Sequence, residues 1–187
     1  MLPSVISLLI VNSDNVAPSE YDTVFKAAGL DTLAYAPESA SLPASGWPTL
    51  GSLIDSGKRL VVFLSTTADY NAVPYIIDGE RDSRLSRVPD GLRSDAEFTN
   101  IWETAFGVTD PAGFDCEVNR TNGEAGIQMY LINHFLDKMV AGFPAPDPSR
   151  ADTTNAVSGL SSLGQQVQTC SAQWGRNPNF MLVDVRS

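Results

Sequence analysis

The sequence contains one histidine, His134, and this limits the acid–base chemistry that the chain can perform. Ile132 and Phe135 flank it closely and are apolar, so a histidine satisfied in the core or at its rim is favoured over a catalytic one. A mechanism that uses one histidine as general base and another as general acid needs two such side chains. A single histidine in 187 residues cannot fill both roles.

The two cysteines, Cys116 and Cys170, lie far apart and do not show the spacing of metal ligands. They could form a structural disulfide or remain as two reduced, buried thiols, and the sequence leaves both open. Asn119 begins the N-glycosylation sequon Asn119-Arg120-Thr121. A sequon beside a cysteine pair favours the secretory route. We expect no metal and no cofactor.

Charge and hydropathy exclude several other classes. The net charge of −10 and the pI of about 4.4 argue against nucleic acid and anionic membrane surfaces as partners, because both attract basic patches. The longest apolar run, Val5–Val11, is too short to span a membrane, and no basic region precedes it as in a signal peptide. We therefore expect no transmembrane segment, and we interpret the run as a buried strand. No G-x-S-x-G nucleophile motif or phosphate-binding glycine loop occurs.

Strand-like and helix-like segments alternate along the chain, which predicts a parallel α/β sheet. The predicted strands are Ser4–Val11, Leu33–Tyr35, Arg59–Ser65 and Phe180–Val185. Val73–Ile77 is apolar and predicted to be extended, and Ile127–Leu136 is apolar. The predicted helices are 18–28, Leu50–Ser56 and Asn155–Trp174. The proline-rich segment Phe143–Pro148 is predicted to be a loop.

Seven segments, in order, resemble the fungal phospholipase-C-like phosphodiesterases. They cover most of the chain outside residues 79–96. The segments are Leu8–Asn15, Trp47–Ser65, Val73–Asp78, Glu97–Asp110, Cys116–Arg120, Tyr130–Asp137 and Cys170–Asp184. No single segment is diagnostic, but the ordered set is specific.

This resemblance implies an α/β fold, namely the C-terminal part of an incomplete TIM-like (β/α) barrel related to phosphatidylinositol-specific phospholipase C. Residues 1–187 would form one partial domain. In that family the proposed catalytic histidines lie on the first barrel strands, upstream of the segment that matches Leu8–Asn15. The chain is therefore expected to be a fragment that lacks the catalytic residues. A full barrel usually needs more than about 200 residues, which agrees with this expectation.

In such barrels the functional side chains gather at the carboxyl ends of the strands. The matching positions are expected to line the pocket wall, and none is expected to be catalytic. They are Asn12, Asp14, Ser65, Asn133, His134 and Asp184. Two of them have structural alternatives: Asp14 could form an Asx-type turn after its strand, and Asp184 could be a strand-end carboxylate bonded to neighbouring backbone.

The resemblance implies a phosphoric diester hydrolase of the lipid-metabolism type, acting in the full-length protein on a phosphoinositide or glycosyl-phosphatidyl substrate. The fragment alone is expected to be inactive. The alternative is a non-catalytic secreted or cell-wall-associated binding protein on the same barrel. Both interpretations place the full-length family member outside the cell or at its surface.

Residues 79–96 interrupt the family pattern. In the family the segment that matches Val73–Asp78 runs directly into the one that matches Glu97–Asp110, whereas eighteen residues separate Asp78 from Glu97 here. The insert has almost no apolar content and holds Arg81, Arg84, Arg87 and Arg93. A Gly-Glu pair can be encoded GGTGAG, which contains a fungal intron donor. The insert is thus either a surface loop or a retained intron translated in frame.

Sequencing the complementary DNA across residues 79–96 separates these alternatives. The intron hypothesis predicts a transcript in which the codon for Asp78 is followed directly by a Glu codon and then by the codon for Phe98. Transcripts that always keep the codons for residues 79–96 would contradict it and leave the loop.

Overall fold

The computed structural model describes residues 4–78 and 99–184. Contacts within the chain divide it into two compact units. The first comprises Met1–Asn100 and Thr121–Gln128, and the second comprises Ile101–Arg120 and Met129–Ser187. Residues 79–96, which contain the predicted insert, lie outside the described residues.

The first unit contains a three-stranded parallel sheet in the order β1-β2-β3. Its strands are β1 (Ile6–Ile10), β2 (Leu60–Leu64) and β3 (Ile76–Asp78). Val62 lies opposite Leu8 on one side and Ile76 on the other. β2 is buried along its whole length because it is the central strand and is apolar throughout.

Two helices accompany this sheet. Helix α1 (Pro18–Ala27) begins with a proline. Proline lacks a backbone N–H, and this costs nothing in the first turn because N–H groups there have no partner within the helix. It is followed by Gly29 at φ +70°, a conformation that favours glycine. Helix α2 (Leu50–Asp55) is capped by Thr49, whose side chain accepts a hydrogen bond from Ser52 N.

Helix α1 is tied to the segment before β3 by one aromatic contact and one hydrogen bond. The rings of Phe25 and Tyr75 lie 6.1 Å apart, and the Tyr75 hydroxyl donates to Asp22 Oδ1 at 2.6 Å. Hydrogen bonds from Lys26 and Tyr75 lower the pKa of Asp22. Burial and the Asp22 carboxylate raise the pKa of Tyr75.

The second unit contains another three-stranded parallel sheet, in the order β4-β5-β8. Its strands are β4 (Ile101–Glu103), β5 (Met129–His134) and β8 (Phe180–Val183). β6 (Asp137–Val140) and β7 (Phe143–Pro146) form an antiparallel hairpin, and the helices are α3 (Ala151–Thr154) and α4 (Leu163–Trp174).

Three aromatic rings form the centre of this unit. Trp102 of β4 and Tyr130 of β5 are opposite each other in register and are stacked, with ring centroids 4.7 Å apart. Trp174, at the end of α4, lies 4.6 Å from Trp102. Because Trp102 and Tyr130 are fully enclosed, β4 and β5 are fixed against each other at the core of the unit.

The prediction of an incomplete TIM-like barrel is wrong. Such a barrel needs one continuous sheet in which a helix follows each parallel strand. Within the described residues the strands form separate sheets of three, three and two strands, without closure. No α-helix lies between β2 and β3 or between β4 and β5. The sequence pattern correctly indicated parallel strands, and β2 is buried as predicted. The prediction that the first and last strands are buried is wrong, because β1 and β8 are largely exposed. Apolar periodicity also does not specify which strands pair.

Three local predictions also differ from the structure. Leu33–Tyr35 is not a strand, and only Ala34 bridges to Leu60. The helix predicted to start at Asn155 starts at Leu163, after a loop in which Ser161 has φ +58°. The proline-rich segment forms β7 because a two-stranded hairpin has outward-facing positions where a missing N–H costs no ladder bond.

Gly164 provides a test of the loop before α4. A Cβ atom at this position would lie 1.8 Å from the Val157 carbonyl oxygen, so the local backbone must move to accept any other residue. We expect G164A to lower the free energy of unfolding by about 1–3 kcal/mol, measured by urea denaturation with tryptophan fluorescence. The matched control G126A, with nothing within 4 Å of the new Cβ, should leave the midpoint unchanged. Equal midpoints for both variants would contradict the close approach.

Candidate functional site at the carboxyl ends of the strands

Parallel strands end along a common edge, and the ends of β5 and β8 are neighbours because His134 lies opposite Val183. At this edge the second unit brings together Asn133, His134 and Asp184 from the sequence-predicted set. Glu103 ends β4 opposite Leu131, three residues before the end of β5. The other predicted residues, Asn12, Asp14 and Ser65, follow strands of the first unit.

His134 is fully buried, and both of its ring nitrogens have partners. Nδ1 lies 2.5 Å from Gln166 Oε1, and Nε2 lies 2.9 Å from the Thr154 carbonyl oxygen. The ring also stacks on Phe114, with centroids 4.1 Å apart. Both partner atoms accept hydrogen bonds, so a neutral imidazole donates to only one of them, but the buried ring leaves neither nitrogen open to a substrate.

The orientation of Gln166 is itself fixed. Its Nε2 donates to the Asp115 carbonyl oxygen at 2.7 Å, which turns Oε1 towards His134. Asp115 immediately precedes Cys116, and a disulfide joins Cys116 to Cys170 of α4. The cross-link therefore lies one residue from the backbone group that orients Gln166.

Asn133 is held by the residue that follows β4. Its backbone N–H donates to Thr104 Oγ1 at 2.9 Å, and its side-chain amide donates to the Thr104 carbonyl oxygen at 2.8 Å. Both residues are buried. Asn133 thus links the ends of β4 and β5.

Asp184 follows β8 and accepts a hydrogen bond from Leu136 N through Oδ2, at 3.2 Å. Its carbonyl oxygen accepts from Asn155 Nδ2 at 2.8 Å. Asn155 Oδ1 is buried and has no hydrogen-bond partner among the described residues. The geometry matches the alternative of a strand-end carboxylate bonded to neighbouring backbone. The hydrogen bond to Leu136 N uses one of the two carboxylate oxygens of Asp184.

An ion pair between the buried Glu103 and the half-buried Arg120 lies at the end of β4. Arg120 Nε and Nη2 both contact Glu103 Oε1, and the guanidinium lies over the Phe106 ring at 4.5 Å. The Glu103 side chain is 5% exposed and that of Arg120 is 29% exposed. The backbone of Asn119–Arg120 runs antiparallel beside β4, with Asn119 N donating to the Glu103 carbonyl oxygen at 2.9 Å.

Sequence reasoning did not single out this ion pair. The available signal was a carboxylate directly after the apolar residues Ile101 and Trp102, together with an arginine in a segment already noted for its family resemblance. Their contact needed the tertiary structure because sixteen residues lie between them.

In the first unit Asn12 is a buried hub of hydrogen bonds. Its Nδ2 donates to the Val16 carbonyl oxygen and to Thr67 Oγ1, both at 2.9 Å. Its Oδ1 accepts from Val16 N and from the Tyr21 hydroxyl, and its backbone N–H donates to Ser65 Oγ at 2.9 Å. Asn12 and Ser65 therefore join the ends of β1 and β2.

Asp14 follows β1 and Thr67 follows β2, but their surroundings differ. Asp14 is exposed in the turn after β1. Thr67 has φ +65°, which is rare for a β-branched residue, and its hydroxyl donates to the Val16 carbonyl oxygen at 2.8 Å. The Asn12 and Val16 contacts thus hold a strained residue after β2.

The carboxylates of the second unit's edge are engaged within the protein, Glu103 by Arg120 and Asp184 by Leu136 N. Across residues 4–78 and 99–184, no group of three or more His, Cys, Asp or Glu side chains is placed to hold a metal ion. In the same part of the chain, no helix combines the length and the apolar character needed to cross a membrane.

A family model described as PI-PLC X 1 matches residues 2–83 and 85–187. The chain therefore belongs to the PI-PLC X family, and the predicted relationship to phosphatidylinositol-specific phospholipase C is confirmed at this level. That the chain corresponds to the C-terminal half of the family domain stays a prediction.

Two curated fungal relatives support the assignment. The chain is 38% identical over 182 residues to "PI-PLC X domain-containing protein 1" of Arthroderma benhamiae, covering 96% of this chain and 53% of that protein. It is 37% identical over 188 residues to an "Uncharacterized secreted protein" of the same fungus, covering 96% of this chain and 38% of that protein. The chain thus spans about half or less of the length of these relatives. No solved structure matches it.

The Glu103–Arg120 pair generates a stability prediction. R120M removes the guanidinium and leaves the buried Glu103 carboxylate without its ion-pair partner, which should lower the free energy of unfolding by about 3 kcal/mol. The control K138M removes the more exposed Lys138–Asp147 pair, at 3.3 Å, and should cost about 1 kcal/mol or less. Urea denaturation of both variants measures the difference, and equal losses would contradict a structural role for the Glu103–Arg120 pair.

Proposed function

We propose that this chain is the non-catalytic part of a phosphodiester hydrolase of the PI-PLC class and that it is inactive by itself. The observation that carries the proposal is the enclosure of His134, the chain's one histidine. Phosphodiester cleavage of this type needs a general base, a general acid and a cation for the phosphate charge. Family membership supports the reaction class, and the state of His134 argues that the proton transfers are made by other residues.

In each unit, the polar residues at the strand ends would then support a binding wall of that unit. Asn12, Ser65, Asn133 and His134 all take part in internal hydrogen bonds, which gives them a fixed position. Groups fixed in this way can exclude water and hold a surface in shape, but they have little capacity to bind a ligand.

Asp14 and Asp184 are the members of the predicted set best suited to contact a ligand. Asp14 is exposed, and Asp184 bonds Leu136 N through one carboxylate oxygen. A carboxylate accepts hydrogen bonds from the hydroxyl groups of a sugar or cyclitol. This chemistry fits the proposed substrate class, a phosphoinositide or glycosyl-phosphatidyl compound.

A non-catalytic secreted or cell-wall-associated binding protein is the second candidate. It is favoured by the enclosed histidine and by the relative that is named a secreted protein. The disulfide between Cys116 and Cys170 also suits an extracellular protein, because disulfides persist in oxidising compartments. Ligand binding without turnover by the full-length protein would distinguish it from the first candidate.

Incubation of the chain with phosphatidylinositol vesicles, followed by ³¹P NMR, tests the absence of catalysis. We expect no cleavage above background, and the H134N variant should give the same result. Cleavage by the unaltered chain that disappears in H134N would overturn the proposal, because His134 would then be catalytic.

Calorimetric titration with inositol phosphate tests whether Asp184 of the proposed wall contacts the headgroup. If Asp184 contacts the headgroup, D184N should weaken binding, whereas the matched control D152N, at an exposed position of α3, should not. Equal binding by both variants would remove Asp184 from the proposed wall.

A further inference from the structure

We infer that Asn119 is the acceptor of a single N-linked oligosaccharide. Asn119-Arg120-Thr121 is the one Asn-X-Ser/Thr triplet in the sequence, and its middle residue is not proline. This inference goes beyond the proposed function, because it depends on the secretory route and not on phosphodiester chemistry.

The structure directs the Asn119 side chain outward. Asn119–Arg120 is extended beside β4, with Arg120 bridged to Glu103 in antiparallel register. Successive side chains of an extended segment point to opposite sides. Because the Arg120 side chain folds onto the buried Glu103 carboxylate, Asn119 projects away from it.

The Asn119 carboxamide is therefore accessible. Asn119 is exposed, and its side chain makes no hydrogen bond to any other residue in the described ranges. Its backbone is nevertheless fixed, because Asn119 N donates to the Glu103 carbonyl oxygen at 2.9 Å. An oligosaccharide at this position would extend into solvent without displacing the Glu103–Arg120 pair.

A second observation places the same segment in an oxidising compartment. Cys116, three residues before Asn119, is bonded to Cys170, and both cysteines are buried. Disulfides of this kind form in the secretory route, where N-linked oligosaccharides are also transferred. The relative named as a secreted protein agrees with this placement.

The transfer itself needs an oligosaccharide donor carried on a lipid diphosphate. The Asn119 carboxamide nitrogen forms a bond to the anomeric carbon of the first sugar and releases one proton to the solvent. The bond between that carbon and the diphosphate oxygen breaks, and the lipid diphosphate leaves with the electron pair. No oxidant or reductant takes part.

The contacts of Thr121 indicate at which stage of folding the oligosaccharide is transferred. In the folded chain its hydroxyl donates to Gln128 Oε1 at 2.5 Å and accepts from Gly123 N at 3.1 Å. The hydroxyl of a sequon must be available to the transferring enzyme, and here the turn at 121–123 occupies it. Transfer therefore precedes formation of this turn, so the acceptor is a chain in which residues 121–123 are not yet folded.

The test uses the full chain, directed into the secretory pathway of a yeast host by a heterologous leader. Protein from the medium and from inside the cell is treated with peptide N-glycosidase in ¹⁸O water. We expect the peptide that contains Asn119 to carry ¹⁸O-labelled Asp at this position in most molecules. Analysis of both pools keeps the measurement valid even if a variant is retained in the cell.

Three variants define the outcomes. N119Q and T121A should abolish the labelled peptide and the oligosaccharide mass, whereas T121S, which keeps the hydroxyl, should retain both. An unlabelled Asn119 peptide in both pools of the unaltered chain would overturn the inference, as would an oligosaccharide that persists in N119Q. Folded protein purified without the oligosaccharide should not be modified when it is exposed to the transferase afterwards, and modification at that stage would contradict the assigned timing.

Discussion

The cross-link between Cys116 and Cys170 fixes the segment on which the second unit's candidate site depends. It joins residues 54 positions apart, which in the chain-entropy view stabilises the fold by about 4 kcal/mol. Around it, Trp174 Nε1 donates to the Cys116 carbonyl oxygen at 2.9 Å, and Gln166 donates to that of Asp115. These contacts hold the segment before β5 against α4.

That restraint has consequences on both sides of the cysteine. Upstream, it places Phe114 on the His134 ring and directs Gln166 towards His134 Nδ1. Downstream, the restrained backbone positions Arg120 against the Glu103 carboxylate. The polar groups at the carboxyl edge of the second unit are therefore one another's partners, which makes the edge rigid and leaves it little free acid–base capacity.

Local pattern was sufficient for the elements whose apolar runs are continuous. β2 was recognised because a buried strand of a parallel sheet reads as an unbroken apolar segment. The segment that contains β5 was identified only as apolar, with Asn133 and His134 near its end. Helix α1 was recognised from its proline start and glycine end. The pattern failed where tertiary contacts decide the outcome. β7 contains two prolines and is a strand only because β6 pairs with it. Residues 155–162 were predicted to begin the last helix, but they form a loop in which Val157 closely approaches Gly164.

The sequence by itself determined the family, the presence of parallel strands and the limit of one histidine, because these depend on residue identity and order alone. It also marked Asn133, His134 and Asp184 as strand-end residues. Only the tertiary structure decided that the strands form separate sheets, that Glu103 faces Arg120 and that both nitrogens of His134 are occupied. The physical reason is that burial and periodicity are local properties of a segment, whereas strand partners, ion pairs and hydrogen-bond saturation depend on groups that are distant in sequence.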